Sequence, residues 1–99
     1  MNTFESRAGE QVIDVHVTDE SLVVDLADGR SVSVPLAWYP RLFDATPEQR
    51  NRWETAGAGF GIHWPEIDED LSVEGILKGI PAPGVRIPLR SAVNLRAAR

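Results

Sequence analysis

The chain has 99 residues, no cysteine and a formal net charge of −5, enough for one domain with a single core and too little surplus stability to sculpt a deep cleft. Disulfide staples, thiolate metal sites and cysteine nucleophiles are excluded at once; no apolar run approaches a membrane span, and the N-terminus lacks the apolar stretch of a secretory signal, so the cytoplasm is the expected compartment. Residues 1–79 carry fifteen acids against six bases, whereas residues 80–99 carry four arginines and no acid, so the body repels phosphate backbones and only the tail offers a basic surface.

Residues 1–10 read as a flexible start, 11–79 as a single α+β domain, and 80–99 as a proline-containing basic tail. Within the domain, three segments alternate apolar and polar residues with period two, the pattern of half-buried antiparallel strands. Ile13, Val15 and Val17 share one face of the first; Leu22, Val24 and Leu26 of the second; Val32, Val34 and Leu36 of the third. A two-residue Asp28-Gly29 loop would throw the second and third faces out of phase. A three-residue loop with Gly29 left-handed pairs Val24 with Val32 and Leu22 with Val34, so a bulged hairpin is predicted.

Pro35 and Pro40 end the strand region, and Pro40 suits the first turn of a short helix over 41–45, with Tyr39 extended in front of it. Thr46-Pro47-Glu48-Gln49 is a helix start, with Thr46 as N-cap and Gln49 completing a capping box. That helix is expected to run to about Glu54 and to place Trp53 against the sheet. Gly57, Gly59 and Gly61 follow at every second position, a strand spacing that predicts a fourth strand over 55–64 with one side-chain-free face. Such a face accepts a neighbouring helix or ring, or a docking peptide. Residues 65–70 read as an acidic turn, and Ser72 caps a short helix over 73–78 that Gly79 ends, with Ile76 and Leu77 facing inward. Pro81, Pro83 and Pro88 make the remainder a linker. The expected architecture is a small antiparallel sheet, a three-stranded meander plus a fourth strand, with two or three short helices.

Chemistry-bearing residues are few. His63, between Ile62 and Trp64, stands beside the acids Glu66, Asp68, Glu69 and Asp70, a setting that suits a general base or a metal ligand. No serine, cysteine or paired-histidine spacing completes a known apparatus, and the acids miss the alternating pattern, glycine and distant glutamate of a calcium loop. They equally solvate a turn and favour the positive end of the following helix. The glycines of 57–61 lead into Trp64-Pro65 rather than a helix, so they make no phosphate loop. The helices are too short for a helix-turn-helix. Trp38 and Tyr39, adjacent on an extended segment, should point oppositely, leaving one exposed as an interface anchor.

The stretches Trp38-Tyr39-Pro40-Arg41-Leu42, Ala45-Thr46-Pro47-Glu48-Gln49-Arg50 and Gly61-Ile62-His63-Trp64-Pro65-Glu66-Ile67-Asp68-Glu69-Asp70-Leu71-Ser72-Val73-Glu74-Gly75-Ile76-Leu77 resemble a small bacterial family, domain of unknown function number 2442, over roughly residues 11–79. The resemblance implies a compact α+β domain. Its relatives, some fused to a helix-turn-helix domain and some encoded beside another small protein, suggest toxin–antitoxin pairing or regulatory adaptors.

The function expected on these grounds is a non-enzymatic protein-interaction module, antitoxin-like or regulatory, without cofactor or metal. Its expected partner is a protein, either a basic one drawn by the acidic body or the product of an adjacent gene. The candidate contact residues are Trp38, Tyr39, Arg41, His63, Trp64, Asp68, Asp70, Arg86 and Arg90. The rival is a small enzyme or metal-dependent protein centred on His63, Asp68 and Asp70. A weaker third reading is nucleic-acid contact through Arg86, Arg90, Arg96 and Arg99 of the tail.

Overall fold

The computed structural model describes residues 8–89. Two three-stranded antiparallel sheets and three short helices enclose one core, an α+β fold. The first sheet is the meander β1 (Val12–Val17), β2 (Ser21–Leu26) and β3 (Ser31–Pro35). Leu22 pairs with Val34 and Val24 with Val32, as the three-residue turn demands. Gly29 has φ +97°, its N–H donates to Leu26 O at 3.0 Å, and Leu26 N–H donates across the turn to Arg30 O at 2.8 Å.

β1 departs from simple alternation. Val12 pairs with Leu26 and Asp14 with Asp25, leaving Ile13 as the extra residue of a bulge. Ile13, expected on the inner face, is therefore 64% exposed, and Val12 takes the core position at 7%. A bulge inserts one residue into one strand only, so it shifts the phase without changing the pattern on either side. Beyond it Val15 and Val17 face inward as expected.

Helix α1 (Pro40–Phe43) and helix α2 (Pro47–Arg50) follow. The capping box is present: Gln49 N–H donates to Thr46 Oγ1 at 3.1 Å and Thr46 N–H to Gln49 Oε1 at 3.0 Å. α2 stops four residues short of the expected Glu54, because residues 54–56 form strand β4 (Glu54–Ala56) instead. Arg50 at its last turn is 8% exposed. Its Nε and Nη2 donate to the Leu42 and Phe43 carbonyls at the end of α1, at 3.0 and 2.9 Å. The Leu42 carbonyl also accepts from Ala45 N–H at 3.2 Å. The last carbonyls of so short a helix lie beyond its own ladder, and a cation is favoured at that end.

The single fourth strand expected over 55–64 is a hairpin. β4 and β5 (Gly61–Trp64) are joined by a tight turn in which Gly57, Ala58 and Gly59 have φ of +57°, +60° and +93°. The glycine spacing thus serves a left-handed turn, and no side-chain-free strand face exists for a docking peptide. The acidic turn is also shorter than expected: residues 69–72 form β6 (Glu69–Ser72), which pairs with β5. Helix α3 (Val73–Leu77) is capped as predicted, Ser72 Oγ accepting from Gly75 N–H at 2.9 Å. Residues 80–85 carry no regular element but return to the domain, with Ala82 N–H donating to Trp38 O at 3.0 Å. Leu22, Leu26, Leu36, Leu42, Tyr39, Ile62, Trp64, Val73 and Ile76 form the shared core. Among the described residues, no helix is long and apolar enough to cross a membrane.

Candidate functional site

The β4–β5–β6 sheet carries the most distinctive surface. Ile62 and Trp64 of β5 point into the core, so His63 stands on the outer face. Glu54 of β4 and Asp70 of β6 lie directly opposite it on either side, which aligns a glutamate, a histidine and an aspartate across three strands. His63 Nδ1–H donates to Asp70 Oδ1 at 2.6 Å, and Nε2 has no partner among the described residues. A carboxylate on one ring nitrogen fixes the tautomer and turns the other nitrogen outward, the orientation that a general base needs.

At the edge of the sheet, a groove of about 550 Å³ runs beside β6, lined by Pro40, Arg41, Ala82 and Pro83 together with the acids Asp68, Glu69 and Asp70. Asp68 is held left-handed at φ +54°, a conformation that aspartate tolerates better than most residues. Arg41 Nη1 donates to the Asp68 carbonyl at 2.6 Å. The guanidinium thus braces the turn from outside while the Asp68 side chain stays exposed. Glu69 Oε1 accepts from Asp70 N–H at 3.1 Å. Tyr39, which precedes Pro40 in the chain, is 1% exposed; burial, with the negative charge of Glu69, pushes its hydroxyl up to about 12.

These positions redistribute the expected contact residues. Arg41, Asp68 and Asp70 come together on the groove, with His63 beside Asp70. Trp64 does not belong to any contact surface: it is 0% exposed, and its Nε1–H donates to Arg50 O at 3.0 Å. Tyr39 is likewise enclosed, since its segment tucks it under residues 80–83, where it lines a smaller cavity. Trp38 is half-buried against the core, so of the adjacent pair neither ring is fully exposed. Arg86 is exposed; Arg90, Arg96 and Arg99 lie outside the described residues.

Asp68 and Asp70 do not converge with His63 on one point. Among the described residues, three ligating atoms approach one another closely only at Asp14, His16 and Asp25, on the outer face of the first sheet. The residue order of β1 hid this group, because its third member sits on another strand and the bulge sets the register.

Residues 12–82 match the family model described as a protein of unknown function, DUF2442, and the chain belongs to that family. A crystal structure of a protein of unknown function from Rhodospirillum rubrum is similar at 28% identity and a TM-score of 0.65, covering 75% of this chain and 92% of that one. A solution structure of an uncharacterized protein from Chromobacterium violaceum, 23% identical, shares the fold with a TM-score of 0.64 over 83% of each chain. No curated protein matches the sequence.

Proposed function

We propose that this family member is a non-enzymatic protein-interaction module, antitoxin-like or a regulatory adaptor, that receives a basic segment of a protein partner along the groove beside β6. The observation that carries the reading is the groove's charge. Asp68, Glu69 and Asp70 line it, and the one cation present, Arg41, directs a donor at a backbone carbonyl rather than at those carboxylates. Carboxylates so placed steer a basic segment on approach and pair with it once docked. The flanking Pro40, Ala82 and Pro83 supply apolar walls for the stems of arginine or lysine side chains. The product of an adjacent gene is the first partner to test.

Co-expression with that product and pull-down should recover a complex that weakens as salt is raised. The double variant Asp68→Asn/Glu69→Gln should weaken it by about tenfold or more, the range expected for lost charge pairs. Recovery of no specific partner, or a complex indifferent to both salt and the double variant, overturns the reading.

The rival reading draws on the His63–Asp70 pair, which leaves Nε2 outward as a proton acceptor. It predicts turnover of an activated ester substrate by the full chain that disappears in His63→Gln.

A further inference from the structure

We propose that Asp14, His16 and Asp25 form a divalent transition-metal site, with zinc as its first occupant, on the outer face of the β1–β2–β3 sheet. The bulge at Ile13 places Asp14 directly opposite Asp25 on the neighbouring strand. Like charges in that position repel unless a positive charge lies between them. His16, two residues along β1 and on the same face, brings Nε2 to 3.2 Å from Asp14 Oδ2 and 3.3 Å from Asp25 Oδ2. All three ligating atoms lie within 4.8 Å of one another. A tetrahedral ion with bonds of about 2.0–2.1 Å sets its ligand atoms about 3.3 Å apart, so both measured separations match edges of such a polyhedron.

The other oxygen of each carboxylate is already engaged. Asp14 Oδ1 accepts from Val15 N–H at 2.8 Å, and Asp25 Oδ1 accepts from Ser31 Oγ–H at 2.6 Å. Each aspartate therefore turns its Oδ2 toward His16, an outer support of the kind that orients ligands before a metal arrives. A mixed imidazole–carboxylate set favours zinc and its neighbours over calcium or magnesium, which require more oxygens. His16 and Asp14 are half-exposed, so three protein ligands leave a fourth position open to water or to a ligand from another molecule.

The test is calorimetric titration of the full chain with zinc chloride at pH 7.5, followed in parallel by imidazole NMR. One equivalent should bind, shift the His16 ring and leave His63 unmoved. His16→Gln and Asp25→Asn should abolish uptake, and Ser31→Ala should weaken it by roughly tenfold, the cost of losing an outer support. Cobalt(II) should give the intense visible bands of tetrahedral coordination in the parent and not in His16→Gln. Circular dichroism of each variant separates loss of the site from loss of the fold. Absence of saturable binding at millimolar zinc, zinc bound at His63 instead, or uptake that persists in folded His16→Gln overturns the proposal. The site lies on the opposite sheet from the acidic groove, so its failure leaves the partner reading untouched.

Discussion

The first sheet is held together mainly by its own turns, whereas the second is held by several side chains that reach it from elsewhere in the chain. One side chain from farther along, Arg50, also donates to Asp19 of the β1–β2 turn at 3.2 Å. Between β1 and β2, Thr18 Oγ1 accepts from the Glu20 and Ser21 amides. Between β2 and β3, Asp28 accepts from the Arg30 amide and guanidinium, which lowers the Asp28 carboxyl below its usual range. The second sheet receives Gln11 on the Ala58 carbonyl, Arg41 on the Asp68 carbonyl and Arg52 on the Glu66 carboxylate, while Trp64 donates to Arg50 O. Bonds spanning a few residues form wherever the local sequence allows. Bonds spanning fourteen to forty-seven residues form only after the chain has closed those loops, at an entropic cost. The sheet that carries the groove and the His63–Asp70 pair is therefore the more dependent of the two.

Arg50→Met should break this arrangement most severely. It removes the side-chain donors to the Leu42 and Phe43 carbonyls. Leu42 O keeps Ala45 N–H, while an unsatisfied buried carbonyl at Phe43 costs on the order of 1–3 kcal/mol. A loss of about 1–3 kcal/mol is expected in urea unfolding. Because Arg50 O accepts from Trp64 Nε1–H, amides of β5 should lose hydrogen-exchange protection before those of β2. Simultaneous loss in both sheets would show one cooperative unit and break the comparison.

Alkaline pH should act next, through the sole tyrosine. Burial favours the neutral Tyr39 hydroxyl, so the unfolded chain ionises near the ordinary value of about 10 while the folded one waits until about 12. The stabilisation is complete below pH 10 and is lost as pH rises toward 12. Urea midpoints measured from pH 9 to 11.5 should fall, and Tyr39→Phe should flatten that fall.

The smallest effect belongs to the first sheet. A Cβ at Gly29 would meet no atom within 4 Å, so Gly29→Ala costs only the left-handed backbone, roughly 1 kcal/mol. Thermal unfolding should show that modest loss while β5 and β6 keep their exchange protection, which sharpens the contrast with Arg50.

The order of the residues locates the strands β1 to β3, the Thr46–Gln49 capping box, the Ser72 cap and the family. It also brings Arg41, Asp68, Asp70 and His63 forward, and these four share one region of the surface. It misses the pairing of Asp70 with His63, because residues 69–72 look like a solvated turn until β5 lies beside them. It gives Trp64 to the surface on the strength of its residue type, although the ring fills the core. Arg50 stands out in the sequence only as the last residue of a family stretch; nothing at its own position signals that its guanidinium reaches carbonyls of another helix.

Local periodicity and turn chemistry, which act over two to four residues, were enough to determine the class of fold, the register of β2 with β3 and the start of each helix. Tertiary pairing decided the rest: the bulge at Ile13, the stop of α2 at Arg50, the division of 54–64 into a hairpin and the conversion of acids 69–70 into strand. Each of these depends on a partner strand or carbonyl that is distant in sequence. A short segment of mixed propensity takes whichever form satisfies its backbone against that partner. The same non-local closure brings Asp25 to Asp14 and His16, so the proposed metal site, too, exists only in the folded molecule.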